Sequence, residues 1–341
     1  MRPLRVALFV NLGQPPFTNN LLGLVTAFQR AAGVTVVEPH RFPGFRSTGG
    51  AAPAPIPRAA VERAAASGPF DVVVCAAGGL YVLREHRDLL GTEAVWVGLA
   101  LSDPLGLVAG LTIGREFDLY YTQDPQCVSA YRDRGIRAKR CDLAVDPWVF
   151  PKVPRDEQWD VVFVGKWTPL RDRLVAALAR RFRVLVHTHR GENRWSVPAR
   201  PPLDDPAGLM RALASARLAL EVATVEGGPE RFRGTRRLTP RPQIAALAAT
   251  PSLIEPFPHL PEFFTPGRDI AIYRGPGELV RRARELLADP QGRRRMAAAA
   301  RERVLREQTW DQRVSAILAD VADHRRATDP TPENGSAHPP P

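Results

Sequence analysis

Cysteine is scarce in the 341-residue chain: Cys75, Cys127 and Cys141 stand far apart, without the paired spacing that a metal site or a redox motif requires. They read as small buried hydrophobes. Long apolar runs are also missing. Nothing approaches the roughly 20 residues of a membrane span, so the expectation is a soluble protein without a transmembrane segment. The start of the chain lacks the plan of a secretory leader. Its apolar segment runs only from Val6 to Val10 before a polar loop, which suits a first buried strand and points to the cytoplasm. No Asp-x-Asp pair occurs, so the commonest acidic signature for a bound Mg²⁺ or Mn²⁺ is absent.

What is present supports two hydrophobic cores. The length exceeds what one core usually holds, which favours two domains of about 150 residues each. Hydrophobic residues make up 44% and charged residues 24%, an ordinary globular balance. The formal charge of +11 permits nucleic-acid binding. However, the arginines are scattered over expected helices, as at Arg281, Arg282, Arg284 and Arg293–Arg295, and lack interleaved aromatics, so no nucleic-acid partner is expected. A basic field still favours an anionic small ligand.

Short apolar runs alternate with amphipathic stretches, the pattern of βαβ units and parallel sheets. In the first half the pattern predicts strands at Arg5–Val10, Val34–Glu38, Phe70–Ala76, Ala94–Leu99, Asp118–Thr122 and Ala138–Leu143. Helices are predicted at Asn20–Ala32, Arg58–Ala66, Tyr81–Leu90 and Pro125–Arg134. Phe42–Pro57, rich in Gly, Ala and Pro, is expected to be a mobile loop. The pattern breaks over Asp146–Trp159 and restarts with the apolar run at Trp159–Gly165. Strands then follow at Phe182–His187, Arg217–Val222 and Ser252–Glu255, and helices at Arg171–Ala179, Pro206–Ala214, Gln243–Ala249, Gly277–Ala288, Gln291–Glu307 and Asp311–Arg325. The expected division is a first domain over 1–150, a second over 151–325, and a disordered tail over 326–341.

The segments Asp118–Pro125 (DLYYTQDP), Cys141–Phe150 (CDLAVDPWVF) and Asp160–Gly165 (DVVFVG), in that order, resemble the CgeB-like, spore-maturation-type glycosyltransferases. Asp269–Leu279, Arg301–Glu307 and Gln308–Trp310 with Arg313 resemble that family's C-terminal signature. The resemblance covers roughly residues 118–320, and residues 1–117 agree in architecture only. It implies the GT-B fold: two Rossmann-like α/β domains facing across a cleft, with the C-terminal helix crossing back to the first domain. The donor, a nucleotide-diphosphate sugar acting as co-substrate, would sit on the second domain and an unidentified acceptor on the first. No further cofactor and no metal are implied.

Ligands of open parallel sheets gather beyond the carboxyl ends of the strands. There Gly165 allows close backbone approach, Lys166 supplies a point charge and Arg171 bidentate contacts, so the three suit a diphosphate; as solvated helix-end cations Lys166 and Arg171 would be equally ordinary. A second basic cluster, Arg231, Arg233, Arg236, Arg237 and Arg241, lies in the loop before the Gln243 helix. Arg241, with Arg237 beside it, is the candidate for stabilising the leaving diphosphate. The family commonly carries a ribose-binding glutamate where this chain has Ala245. Either Gln243 or Glu255 takes over those contacts, or normal donor binding is lost. Glu255 and Glu262 flank a stiff Pro-rich loop and fit ligand contact or capping equally.

On the first domain, Asp103 follows a strand and is the candidate general base, or a turn former before Pro104. His40 and Asp124 are weaker candidates for similar positions, and His187 and His189 for lining the nucleobase pocket. Gln14, Thr18 and Asn19 are candidate acceptor contacts. Retention is favoured over inversion, in which case the leaving phosphate itself takes the proton. A nucleotide-sugar epimerase and a catalytically degenerate nucleotide-sugar-binding protein are the alternatives.

Overall fold

Runs rich in Val, Leu and Phe with no polar alternation belong in strands covered on both faces, and here they form two parallel sheets. The computed structural model describes residues 3–12, 18–43, 54–76, 81–82, 86–188, 194–203, 205–226, 230 and 233–328. The first domain comprises β1 (Arg5–Phe9), α1 (Thr18–Ala31), β2 (Gly33–Val37), β3 (Ala54–Pro55), α2 (Arg58–Ala65), β4 (Val72–Ala76), β5 (Tyr81–Val82) and α3 (Arg87–Leu90). It continues with β6 (Val95–Ala100), α4 (Leu107–Ile113), β7 (Leu119–Thr122), α5 (Pro125–Arg132) and β8 (Ala138–Arg140). Six strands make one sheet in the order β2-β1-β4-β6-β7-β8, and β3 pairs separately with β5. Every residue of β4 and β6 is buried, as central strands of a doubly covered sheet require.

The second domain comprises β9 (Trp159–Val164), α6 (Pro169–Ala179), β10 (Val184–His187), α7 (Pro206–Ala214), β11 (Ala216–Glu221) and α8 (Arg241–Leu247). After these come β12 (Ser252–Ile254), α9 (Leu260–Phe263), β13 (Ala271–Ile272), α10 (Pro276–Ala288) and α11 (Pro290–Glu307). Its five strands run parallel in the order β10-β9-β11-β12-β13. Short polar caps open several helices: Asp124 before α5, Thr168 before α6 and Asp205 before α7 each accept a backbone N–H of the first turn.

The last helix, α12 (Trp310–Thr328), leaves the second domain and packs on the first. Trp310, Val314, Ile317 and Val321 are buried in one cluster with Val6, Leu8, Leu24 and Phe28. Polar contacts fix its register. The Tyr121 hydroxyl donates to Asp320 at 2.6 Å, Lys139 pairs with the same carboxylate at 2.7 Å, and Arg325 reaches Asp71 at 3.2 Å. Gly23 of α1 lets this helix come close, since a Cβ there would lie 2.8 Å from both Asp146 Cβ and Trp310 Cδ1. The expected return of the C-terminal helix to the first domain is what the structure shows.

Several expected elements come out differently. The helix expected over Tyr81–Leu90 is replaced by β5 and the one-turn α3, because Tyr81 and Val82 pair with Ala54 and Pro55. That pairing also places a strand inside the expected Phe42–Pro57 loop, of which 44–53 lie outside the described residues. The strand expected to run to Leu143 ends at Arg140. Helix α4 was not anticipated, because Gly110 lowers its helix propensity. That glycine is there for packing: a Cβ would meet the Tyr131 and Tyr120 hydroxyls at 2.1 and 2.4 Å. Of the tail expected over 326–341, residues 326–328 belong to the last helix and the rest lies outside the described residues. Among the described residues no helix is long and apolar enough to cross a membrane.

Trp310 is fully buried between the domains' connecting chain and α1, so Trp310→Ala is expected to cost about 3–5 kcal/mol, read as a lower urea midpoint in equilibrium unfolding.

Candidate functional site

The carboxyl ends of β9 and β11 lie side by side in the second sheet, and the start of α8 is brought against them. Arg241, the first residue of α8, lays its guanidinium across this junction. Nη1 donates to the Val164 carbonyl at 2.9 Å, Nη2 to Val222 at 3.4 Å, and Nε lies 3.2 Å from Glu221 Oε2. Gly165 makes the arrangement possible. A Cβ at that position would lie 2.6 Å from Arg241 Nη1 and 3.0 Å from Phe163 Cζ, so a larger residue would displace the guanidinium. The Phe163 ring supports the cation from 6.0 Å.

Lys166 is exposed beside this junction, and Arg171 extends from the first turn of α6, donating to the Lys166 carbonyl at 3.2 Å with Glu226 3.7 Å away. Gly165, Lys166, Arg171 and Arg241 are thus gathered at one place, as the strand-end argument required. At its centre is a residue the sequence reading passed over. Glu221 ends the apolar strand β11, is 3% exposed, and its carboxyl is pushed up to about 7 by burial against the pull of Arg241 and Arg171. A carboxylate directly after the apolar run 218–220 was the signal available for it.

The loop from β11 to α8 folds back on itself. Val225 N–H donates to Thr235 at 2.8 Å and Arg237 N–H to Ala223 at 3.1 Å. Glu255 clamps its base: one carboxylate oxygen accepts the N–H groups of Ala223 and Thr224 at 3.0 and 3.1 Å and the Thr224 hydroxyl at 2.8 Å. Its other oxygen lies 3.8 Å from Arg236. Of the basic cluster, Arg233 and Arg236 are exposed, and Arg231 lies outside the described residues. Arg237 crosses the cleft and donates to the Asp103 carbonyl oxygen.

Asp103 corrects an expectation. Of its two expected roles, a base facing the cleft or a turn former before Pro104, the structure shows the turn, and the residue is fully buried. One carboxylate oxygen accepts the hydroxyls of Thr122 at 2.6 Å and Tyr131 at 2.9 Å, which draws the side chain into the first domain. Burial lifts its pKa to about 6, opposed by those two hydrogen bonds. Only its backbone carbonyl meets the cleft, where Gln123 donates to it at 2.8 Å and Arg237 joins.

Gln243 and Glu262, expected at the donor, are engaged between the domains instead. Gln243 is fully buried, and its amide donates to the Leu143 carbonyl at 3.0 Å and to Gln308 Oε1 at 2.8 Å. Glu262 pairs with Arg140 of the first domain and lies 2.6 Å from His259 Nδ1. Ala245 is buried in the second domain's core, and neither Gln243 nor Glu255 has its side chain disengaged to replace a glutamate there.

The remaining candidates disperse. Gln14 and His189 lie outside the described residues, while Thr18 and Asn19 open α1. His40 sits 3.4 Å from Glu38. His187 ends β10, where burial lowers its pKa and its Nδ1 lies 2.8 Å from the Pro201 carbonyl. It lines a groove of about 460 Å³ on the outer edge of the second sheet, together with Trp159, Arg200 and Arg211. That groove does not include Arg241 or Gly165, so it is separate from the junction that they form.

No curated protein sequence matches the chain. Solved structures do. HepE of Anabaena in complex with UDP and glucose is 14% identical with a TM-score of 0.61, over 93% of this chain and 100% of that one. Sucrose-phosphate synthase from Thermosynechococcus elongatus is 15% identical with a TM-score of 0.63, over 96% and 100%. AviGT4, a glycosyltransferase involved in avilamycin A biosynthesis, is 14% identical with a TM-score of 0.59, over 95% and 99%. At these identities the likeness is one of fold. The chain therefore has the two-domain fold of the GT-B glycosyltransferases, and residues 166–319, most of the second domain with the start of α12, match the glycosyl transferase-like family.

Proposed function

We propose that the protein transfers a sugar from a nucleotide-sugar donor to an acceptor held on the first domain. The observation that carries this reading is Arg241. It is held at the carboxyl ends of two parallel strands by the Val164 and Val222 carbonyls, within a domain whose sequence matches a glycosyl transferase-like family. Three of its bonds go to the protein, and its remaining N–H donors are available to phosphate oxygens. Arg171 and Lys166 add positive charge beside it. UDP-glucose bound to HepE, which has the same fold, supports the choice of ligand class.

In this reading the bond between the sugar's anomeric carbon and the donor phosphate oxygen breaks as the acceptor oxygen bonds to that carbon. The electron pair leaves with the nucleoside diphosphate, whose growing charge the preorganised guanidinium groups stabilise. The acceptor's hydroxyl proton passes to the departing phosphate. This is the retaining course, and the enclosure of Asp103 supports it by removing that carboxylate from the acceptor face. Arginines rather than a metal carry the charge stabilisation. The resemblance to the spore-maturation-type glycosyltransferases supports this reading, and a ligand screen addresses the donor base and sugar.

Arg241→Ala is expected to weaken nucleoside diphosphate binding by about 10- to 100-fold in calorimetry, as the loss of charge-assisted hydrogen bonds implies. Gly165→Ala should produce a loss of the same direction, because its Cβ would occupy the guanidinium's place. Unchanged affinity in both would remove this corner from the donor site. The pair also sets a pH dependence. Since the Glu221 carboxyl is raised from 4.5 to about 7 on folding, the folded protein keeps a proton that the unfolded chain has shed. Its burial therefore costs progressively more stability as pH rises through that window. Replacing it in Glu221→Gln is expected to flatten the fall of Tm between pH 4.5 and 7 relative to the parent protein. Parallel Tm profiles would show the residue does not titrate there.

A further inference from the structure

One carboxylate in the cleft is only half used. Asp124, directly after β7, is 2% exposed. Its Oδ1 caps α5 by accepting the Gln126 N–H at 2.9 Å, whereas its Oδ2 is buried with no hydrogen-bond partner. A buried carboxylate oxygen without a partner costs free energy unless another group supplies a hydrogen. Asp124 lines a small cavity of about 20 Å³ between the domains, together with Arg237 and Leu238 of the loop before α8. Arg237 feels the charges of both Asp124 and Asp103, yet its one cross-cleft hydrogen bond goes to the Asp103 carbonyl. Among the described residues no ion pair closes the gap between Arg237 and Asp124. A space of that size admits one water-sized group.

The chemistry of the two walls selects that group. An unpartnered carboxylate oxygen needs a donor, and a guanidinium needs an acceptor. A hydroxyl is both at once. A phosphate or carboxylate would be repelled by Asp124, and an ammonium by Arg237. We propose that the gap between Asp124 and Arg237 seats a hydroxyl of a neutral, polyhydroxylated acceptor, with Asp124 Oδ2 accepting from it and Arg237 donating to it. This rests on the glycosyl-transfer reading above and names the acceptor class for the same cleft. It makes Asp124, not Asp103, the carboxylate of the first domain that touches substrate, and its role is to orient the acceptor.

Asp124→Asn is the informative variant, because asparagine keeps the helix cap at Oδ1 and changes only the atom facing the cavity. Nucleotide sugars with uridine, guanosine and thymidine bases are first titrated by calorimetry into the parent protein, and the tightest binder serves as donor. Glucose, N-acetylglucosamine and glycerol are the neutral acceptors, with glucose 6-phosphate and glucosamine as charged counterparts. The expected result is transfer to at least one neutral acceptor in preference to its charged counterpart. In Asp124→Asn the acceptor KM should then rise about tenfold while kcat changes less than threefold, the loss of one hydrogen bond to a charged group. Nucleoside diphosphate affinity measured on the variant reports that the second domain is intact. An unchanged acceptor KM would mean that the cavity holds only a structural water and would overturn the proposal. So would a collapse of kcat at constant KM, which marks a base rather than a seat, a preference for the charged acceptors, or failure of every neutral acceptor with a donor that binds. If no nucleotide sugar binds at all, the donor reading itself fails, and that outcome is separable from the others.

Discussion

The two domains meet around one side-chain amide. Gln243 donates to the Leu143 carbonyl and to Gln308 Oε1, and Gln308 in turn donates to Phe263 at 2.6 Å. Leu143 belongs to the segment that leaves the first domain, and Gln308 to the segment that returns to it. These two crossings also pair directly: Val145 N–H donates to Gln308 at 3.1 Å and Trp310 N–H to Val145 at 3.0 Å. A buried primary amide can be tolerated only when its hydrogens are taken up, so the position of α8 is tied to both crossings. Arg241 stands two residues earlier on the same helix. The residue that ties the domains together therefore also holds the start of the helix that carries Arg241.

The first domain grips the same junction from its own side. Asp146 accepts the Thr26 hydroxyl and pairs with Arg30 at 2.9 Å, while Arg30 also reaches Asp311 at the start of α12 at 2.7 Å. Arginine is used in this way throughout. Arg155 donates to the carbonyls of Ala249 and Ala216 at 2.7 and 2.9 Å, and Arg293 to those of Leu286 and Leu287, each at 2.8 Å. The planar fork can satisfy several carbonyls at helix and strand ends, which an ammonium on a flexible stem does less well. Much of the positive charge is thus structural, and the formal +11 overstates what is available to a ligand.

Element identity was legible wherever a run was apolar and uninterrupted, as in β4, β6 and β9, because burial on both faces leaves no other use for such a run. It was not legible where a long-range partner decides the outcome. Tyr81 and Val82 become a strand because Ala54 and Pro55 lie alongside, and Gly110 sits in a helix because two tyrosines leave no room for a Cβ. The site divides along the same line. That Gly165, Lys166, Arg171 and Arg241 lie together was legible because strand ends and helix starts are local features. The turn at Asp103 was legible beside Pro104, but the inward course of its carboxylate was not, because its partners, Thr122 and Tyr131, arrive from β7 and α5. Gln243 resembled a substituted donor ligand until Leu143 and Gln308, remote in sequence, claimed its amide.

The loop between β11 and α8 joins the two halves of the chemistry. Glu255 fixes its base, its own backbone bonds fold it back, and Arg237 and Arg241 follow within five residues of each other. The spacing between Arg241 and Arg237 is thereby set inside the second domain. Asp124 belongs to the other domain. The proposed seat between Asp124 and Arg237 is complete only when the domains meet, and the amide of Gln243 and the Arg237 contact to the Asp103 carbonyl both cross between them. The geometry of the cleft depends less on any single charged residue than on the register of two crossings tied by one glutamine.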